Sequence, residues 1–241
     1  MPKIVDRTER REEVLAAVWR VIARNGIDGV SVRDIAAEAG FSTGVIAHYF
    51  RDKDDVLVSA LQRVVAQESE RIATGTSGLV GLAALRRSLE QVLPLDEQRS
   101  LEMTVWISFW SRAVGDARLA GEQRRVYGAW RALLRRYLRE ALHAGEVWSG
   151  LDPYFAADSL TALVDGLCIG VVVEPDRFRP GDLEQLVETH VIGLATGALR
   201  APGEPQSPAG DPAPADRASM PTTGWQEKPA QARRVERAQT G

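Results

Sequence analysis

Apolar residues recur at helical spacing through most of the chain. Between Glu9 and Asn25, Val14, Val18, Val21 and Ile22 recur every three or four positions, which is typical of one buried face of an amphipathic helix. Similar stripes predict helices over residues 53–73, 79–93, 97–114, 116–143, 153–173 and 183–199. The run "IGVVVE", residues 169–174, is predicted as a buried helix end. No alternating segment of convincing length predicts a strand, so the predicted fold class is all-α.

The stretch "SVRDIAAEAGFSTGVIAHYF", residues 31–50, predicts two short helices joined by a tight turn. Ser31 can cap the first helix, with an acidic residue three positions on to complete a capping box. Gly40 sits where a helix end favours left-handed backbone geometry. Ser42 or Thr43 can then cap the second helix. A helix, a glycine-containing turn and a second helix form the helix-turn-helix plan.

The second short helix predicts one buried face and one exposed face. Ile46 and Phe50 are four residues apart and are expected to pack inward. The outward positions carry small or mildly polar side chains: Thr43, Gly44, Ala47 and His48. Such a helix suits a DNA major groove about 12 Å wide. The alternative is that both pieces are ordinary core helices of a bundle, although the spacing favours DNA binding.

Composition sets limits on this interpretation. The chain has 241 residues and a formal net charge of -3, and residues 1–55 hold nine Lys or Arg against ten Asp or Glu. DNA binding must therefore rest on oriented groups rather than on a basic field. The three histidines lack metal-ligand spacing, and the lone Cys168 permits no intramolecular disulfide. We predict no metal and no cofactor.

Two further segments bear on localisation and domain organisation. No stretch approaches the ~20 apolar residues of a membrane span. The leading "MPKIVDRTERREE" has no apolar signal core, so we expect a cytoplasmic protein with no membrane partner. Residues 201–241 hold seven of the twelve prolines and few large apolar residues. They are predicted to form a disordered Pro-rich tail.

The motif "SVRDIAAEAGFSTGVIAHYFRDKDDVL" resembles the DNA-binding region of TetR-family regulators, with a match over roughly residues 9–60. Downstream, "VWISFWSRAV" and "ALVDGLCIG" are similar to the branch that includes the choline-responsive repressor of betaine synthesis. The resemblance implies a helix-turn-helix DNA-binding domain in residues 1–52, made of three helices, and a helical ligand-binding and dimerisation domain in residues 53–200. It also implies a homodimeric repressor that a small-molecule inducer releases from a palindromic operator in double-stranded DNA.

Residue by residue, the resemblance places DNA contacts on both short helices and at the start of the next one. The matching positions are Arg33, Thr43, Gly44, Val45, His48, Tyr49 and Lys53. Of these, Val45 could touch a thymine methyl group, whereas Lys53 would contact phosphate. Ala47 belongs to the same surface but departs from the family, since most members carry Tyr there. That tyrosine contact cannot be transferred to this chain.

Aromatic residues mark the region where the resemblance implies an inducer pocket. Aromatic side chains on a helix most often belong to the core, but here they could instead line a pocket. The candidate lining residues are Trp106, Phe109, Trp110, Tyr127 and Trp130. Asp165 lies in an apolar run, where a buried acid would need a partner and an exposed one would not. Aromatic faces beside a carboxylate would suit a cationic ligand.

Two other functional classes compete with a ligand-controlled regulator. An all-α enzyme has little support, because the sequence has no glycine-rich phosphate loop, no nucleophile elbow and no His/Cys cluster. We therefore predict no catalytic residues. An architectural DNA-binding protein without a ligand would lack a cavity. The helices near residues 153–173 and 183–199 are apolar on more than one side, and the resemblance places them in a dimer interface.

Overall fold

The computed structural model describes residues 7–26, 29–179 and 181–200, and it describes no side chain for Arg7, Thr8, Glu9, Ala23 or Lys53. The helices are α1 Arg7–Asn25, α2 Val32–Ala39, α3 Thr43–Tyr49, α4 Lys53–Gly75, α5 Gly81–Val92, α6 Glu97–Ala113, α7 Ala117–Ala144, α8 Pro153–Val173, the one-turn 3-10 helix Pro175–Arg177 and α9 Asp182–Ala195. No strand occurs in the described ranges, and the all-α prediction is confirmed. The predicted tail, residues 201–241, lies outside them.

Aspartate caps explain where four of the long helices begin. Asp52, Asp96, Asp116 and Asp152 each precede a helix, and each carboxylate accepts a backbone N–H from its first turn. An N-cap acceptor satisfies a donor that the helix itself leaves unpaired. Pro153 occupies the first turn of α8, where its missing N–H costs nothing. The starts predicted at residues 53, 97 and 153 are confirmed.

The last helix ends earlier than predicted. Residues 183–199 were expected to be helical, but α9 stops at Ala195. Gly197 adopts a φ of 71°, which lies in the left-handed region. The chain then folds back so that the Leu199 N–H donates to the Gly193 carbonyl over 2.8 Å. The apolar spacing continues through Leu199 because this turn keeps that side chain beside α9.

Helices α1 to α3 form a head, and the remaining helices pack around a core that continues from it. Within the head, α1 packs on α2, and it also packs on α4 and α6. In the remaining helices, α5 packs on α7, α7 on α8 and α8 on α9. Arg11 of α1 also donates to the Ser59 hydroxyl of α4 over 3.0 Å. The head is thus held to α4 and α6 by direct contacts as well as by the connecting chain.

Helix α8 is apolar on two sides. Leu160, Val164 and Leu167 are buried, whereas Ile169 and Val173 are 40% and 66% exposed. Helix α8 is long and apolar enough to cross a membrane, but the core helices of soluble proteins meet the same two criteria. The helical prediction for residues 169–173 is confirmed, but the prediction that this end is buried is wrong for a single protomer, because no described helix covers its outer side.

Candidate functional site

Local hydrogen bonds define both ends of α2. The Ser31 hydroxyl accepts the Asp34 N–H over 3.2 Å, and the Asp34 carboxylate accepts the Ser31 N–H over 3.1 Å, which forms the predicted capping box. The Asp34 carboxylate also accepts the Ser31 hydroxyl, and this bond, together with the one from the Ser31 N–H, holds the pKa of Asp34 below its usual value. At the other end, Gly40 has a φ of 70°, and the Phe41 N–H donates to the Ala36 carbonyl over 2.9 Å. This is a Schellman motif, which only glycine adopts without strain.

The second short helix, α3, begins at once after this turn. Ser42, rather than Thr43, is its N-cap and accepts the Val45 N–H over 3.4 Å. Ile46 and Phe50 are 1% and 5% exposed, so both inward predictions are confirmed. The turn and the two buried anchors together fix which face of α3 points outward.

Most residues assigned to DNA contact lie on the exposed surface of this helix pair. Arg33, Thr43, Gly44, Ala47 and His48 are exposed, whereas Val45 and Tyr49 are half-buried. The ring of His48 meets the ring of Tyr49 edge to face, with centroids 5.5 Å apart. Lys53 is the first residue of α4, and its side chain lies outside the described atoms.

Three acidic residues in or next to the head make internal contacts. Asp34 and Asp52 cap helices, and the Glu38 carboxylate binds both Arg20 and Arg24 of α1. These guanidinium groups hold the pKa of Glu38 below its usual value. The exposed side chain of Arg33, by contrast, makes no hydrogen bond or ion pair with any other residue in the described ranges. Near-neutral composition therefore does not prevent local recognition of DNA.

A cavity of about 580 Å³ lies among α4, α6, α7 and α8. Its size falls in the range of small-molecule sites. Its lining comprises Val65, Glu68, Ser69, Ile72, Ala73, Thr76, Val92, Met103, Trp106, Trp110, Arg125, Val126, Tyr127, Ala129, Trp130, Leu133, Arg136, Tyr137, Val164 and Asp165. Five of the six residues assigned to an inducer pocket are therefore brought together here: Trp106, Trp110, Tyr127, Trp130 and Asp165.

Phe109 is the exception. It has no exposed surface and does not line the cavity. Phe109 precedes Trp110 by one residue and so points about 100° away around the helix axis. Its ring belongs to the core, and its assignment to the ligand pocket is corrected on that ground.

Three of the lining aromatic side chains form a cluster, which we call the aromatic trio: Trp106, Trp110 and Tyr127. Their ring centroids are 5.9 to 6.3 Å apart, and Tyr127 meets both indoles edge to face. Such contacts are typically worth about 0.5–1.5 kcal/mol per pair beyond area burial. The trio is therefore a preformed apolar wall rather than a set of loose side chains.

Asp165 joins this wall through Tyr127, whose hydroxyl donates to its Oδ1 over 2.9 Å. Burial raises the pKa of Asp165, and it also raises the pKa of Tyr127. Cys168 lies one turn further along α8 and is fully buried, and burial raises the pKa of its thiol. A buried neutral thiol is a poor nucleophile.

Glu68 is a lining residue that the sequence did not reveal. Its Oε1 accepts the Trp106 indole N–H over 3.0 Å. Burial raises the pKa of Glu68 to about 7. Glu68 stands in the charged run "ESER", which reads as a solvated face, but it is also four residues from both Val64 and Ile72. An acid inside an apolar stripe was the signal that could have identified it.

Family models match both parts of the chain. Residues 14–60 match the model described as bacterial regulatory proteins, tetR family. Residues 81–196 match the model described as BetI-type transcriptional repressor, C-terminal. The two matches include the helix pair and most of the cavity lining.

Individual relatives agree with these matches. The chain is 32% identical to the regulator PksA of Bacillus subtilis, over 83% of this chain and 97% of PksA. It is 30% identical to the regulator BetI of Stenotrophomonas maltophilia, over 69% of this chain and 83% of BetI. A regulator from Saccharomonospora viridis, solved in complex with choline, superposes with a TM-score of 0.72 at 27% identity, over 77% of this chain and 97% of that one.

Proposed function

Because the chain belongs to the TetR family of bacterial transcriptional regulators and has a BetI-type C-terminal region, we propose that it is a cytoplasmic repressor released from its operator by a cationic small molecule. Regulators of this family are dimers that bind operator DNA and small-molecule effectors. One observation carries the proposal: α4 begins beside the recognition helix α3 and, four turns later, lines the cavity with Glu68. A single helix therefore runs from the end of the helix pair to the cavity.

We propose that residues 1–52 form the domain that binds DNA and that residues 53–200 form the domain that binds the effector and dimerises. Thr43, Gly44 and Val45 approach the base edges, and Ala47 leaves room where most relatives carry Tyr. Arg33, His48 and Tyr49 position the head against bases or phosphates. A two-fold dimer would present its two copies of α3 about 34 Å apart, one helical turn of DNA.

Lys53 is the proposed phosphate contact at the start of α4. We expect Lys53→Ala to weaken binding to every DNA sequence and to reduce the slope of log affinity against log salt by about two, because each contact contributes about 0.9 and the dimer has two copies. Binding measured across a salt series provides the check. Arg139→Ala, which removes a positive charge from an exposed position on α7, is the control. An unchanged slope for Lys53→Ala would rule out the contact.

The proposed dimer interface is the outer side of α8 and α9. Apolar side chains there are well exposed in one protomer: Ile169, Val173, Leu186 and Ile192. Exposed apolar residues that adjoin one another typically mark an association surface. Pairing α8 and α9 with their copies would form a four-helix bundle and cover these residues.

A cationic effector is supported by the chemistry of the cavity. Aromatic faces attract cations through the negative charge of their π-systems. Glu68 and Asp165 add two carboxylates to the lining. A relative of known structure holds choline, which is a cation of this kind. Neutral and acyl ligands would leave both acids unpaired.

Three contacts tie α4 to α6 along its length. The Asp54 carboxylate accepts Arg112 over 2.8 Å near the head. Glu68 accepts Trp106 over 3.0 Å at the cavity. Beyond the cavity, the buried Glu102 accepts Arg71 at 3.1 and 2.6 Å. An effector that displaces Trp106 or Glu68 would therefore shift α4 against α6 and move the head, which favours a dimer whose heads no longer fit the operator.

Trp106→Phe tests this coupling, since it keeps an aromatic ring but removes the donor to Glu68. We expect Trp106→Phe still to bind effector but to release DNA less, with about tenfold tighter residual DNA binding at saturating effector than wild type, because one charge-assisted hydrogen bond is worth about 1.5–3 kcal/mol. Operator affinity without effector should hardly change. Trp148→Phe, outside the cavity, is the matched control. Equal release curves for wild type and Trp106→Phe would exclude this route.

The proposed function is tested by selecting DNA fragments that the purified protein binds. We expect enrichment of one palindromic sequence, with half-sites about one helical turn apart. Binding without any enriched sequence would contradict operator recognition and would favour an architectural role.

A further inference from the structure

The cavity holds two carboxylates, one on each side of the aromatic trio. Glu68 is bound to Trp106, Asp165 is bound to Tyr127, and the rings of Trp106 and Tyr127 touch edge to face. Across the wall, the Glu68 carboxylate is thus followed by the Trp106 indole, the Tyr127 phenol and the Asp165 carboxylate. Both carboxylates also contribute to the raised pKa of the Cys168 thiol, after burial as the main cause. Both carboxylates line the same cavity.

Each acid has an oxygen left for a ligand. Glu68 uses Oε1 and Asp165 uses Oδ1 to accept from the aromatic residues. Within the described ranges, no protein donor lies at hydrogen-bond distance from the other oxygen of either acid. Neither carboxylate makes an ion pair with a described Arg or Lys. Two half-buried carboxylates in the same apolar cavity favour a ligand that brings positive charge.

Each arginine near the cavity forms an ion pair with an acid other than Glu68 and Asp165. Arg125 and Arg136 line the cavity but are 61% and 59% exposed, and they pair with Glu122 and Glu140. Arg131 does not line the cavity; it binds Asp158 over 2.8 Å, its guanidinium lies 5.5 Å from the centroid of the Tyr127 ring, and its charge favours ionised Asp165. The interior of the cavity is therefore acidic, and its positively charged groups face solvent.

The carboxyl group of Glu68 gains or loses its proton near neutral pH. Its carboxyl has a pKa of about 7, which burial raises and the Trp106 hydrogen bond lowers in part. Glu102 faces it from α6 and Arg71 from α4, and Cys168 lies near it on α8. A cation that arrives beside Glu68 thus needs to displace less than one proton per site on average.

We propose that the effector is a linear dication, with two positively charged groups that bind Glu68 and Asp165 and an apolar chain that lies against the aromatic trio. The inference rests on the proposed function, because it specifies the ligand of the same cavity. A small single cation would occupy one acid, leave the second unpaired and fill only part of about 580 Å³. A diamine or a bis-quaternary ammonium compound satisfies both acids.

The first test uses the wild-type protein and calorimetric titration with amines of matched length. Hexamethylenediamine and octamethylenediamine are compared with hexylamine and octylamine. We expect the diamines to bind about ten- to a hundredfold more tightly, the value of one further charged hydrogen bond. Affinity across a series of diamines should pass through an optimum at the chain length that spans the two acids. Equal affinity of monoamine and diamine at every length would overturn the inference.

The second test uses Glu68→Gln and Asp165→Asn, which keep the side-chain shapes. Each variant should lower diamine affinity to the monoamine level and retain monoamine binding at the other acid. Glu70→Gln, an exposed neighbour on α4, is the matched control. Loss of diamine affinity in only one of the two variants would show a singly charged ligand and overturn the inference, while the cationic effector would stand. If no amine binds to protein that still binds DNA, both the dication and the proposal of a cationic effector are contradicted.

Discussion

Ala47→Glu is expected to weaken operator binding by a factor of about thirty or more while leaving the fold intact. Ala47 lies on the exposed face of α3, and its side chain meets no core residue that a longer one would disturb. On DNA, the new carboxylate would face phosphates and base edges and would lose its hydration. A wrong contact costs about 1–3 kcal/mol per half-site, and the dimer makes it twice.

The matched control for this variant is Ala66→Glu. Ala66 is also an exposed alanine in a helix, on α4, so the change in size and charge is the same. We expect Ala66→Glu to bind operator like wild type and both variants to unfold thermally near the wild-type temperature. Wild-type affinity in Ala47→Glu would mean that this face of α3 does not enter the groove.

Ile192→Glu has the second large expected effect, on assembly. Ile192 is 47% exposed on α9 and belongs to the surface that is proposed to meet the second protomer. Burying an unpaired carboxylate at the centre of an interface is strongly unfavourable. We expect the dimer dissociation constant to rise by about a hundredfold or more, as for a central interface residue. Sedimentation velocity over a dilution series measures the change.

Val114→Glu is the control for assembly. Val114 follows α6 and is 91% exposed, so it offers the same chemical change away from α8 and α9. We expect it to remain dimeric. We also expect Ile192→Glu to lose operator binding in proportion to its loss of dimer, because one head alone contacts one half-site. A stable Ile192→Glu dimer would move the interface elsewhere.

The sequence was most informative where local chemistry decides structure. Ser31 and Gly40 predicted helix boundaries because a cap or a left-handed turn depends on a few adjacent residues. The same holds for the inward faces of Ile46 and Phe50, which follow from helical spacing. The helix-turn-helix was therefore predictable almost residue by residue, and the resemblance to the family added the roles of its exposed side chains.

The cavity was harder to predict because it depends on how distant helices meet. Trp106 and Tyr127 could be recognised as candidates, but their separation within one wall depends on the packing of α6 against α7. Glu68 was missed because its charged neighbours suggested a solvated face, and Phe109 was misplaced because adjacent residues on a helix point in different directions. Spacing within one helix cannot reveal which other helix lies opposite.

The exposed end of α8 shows a different limit. Ile169 and Val173 read as core because an apolar run is the same in a protein interior and in a subunit interface. A single protomer leaves them exposed, and the proposed second protomer would bury them. Sequence pattern indicates that such residues avoid water, but it does not indicate which chain covers them.

The central claim is that filling the cavity releases the operator, and one titration tests it most directly. A fluorescent copy of the selected palindrome is bound by the purified dimer, and its anisotropy is followed while hexamethylenediamine or choline is added. Calorimetry under the same conditions reports cavity occupancy. The account predicts that DNA release follows occupancy, with one ligand bound per chain. Saturation of the cavity with unchanged affinity for the palindrome would contradict it.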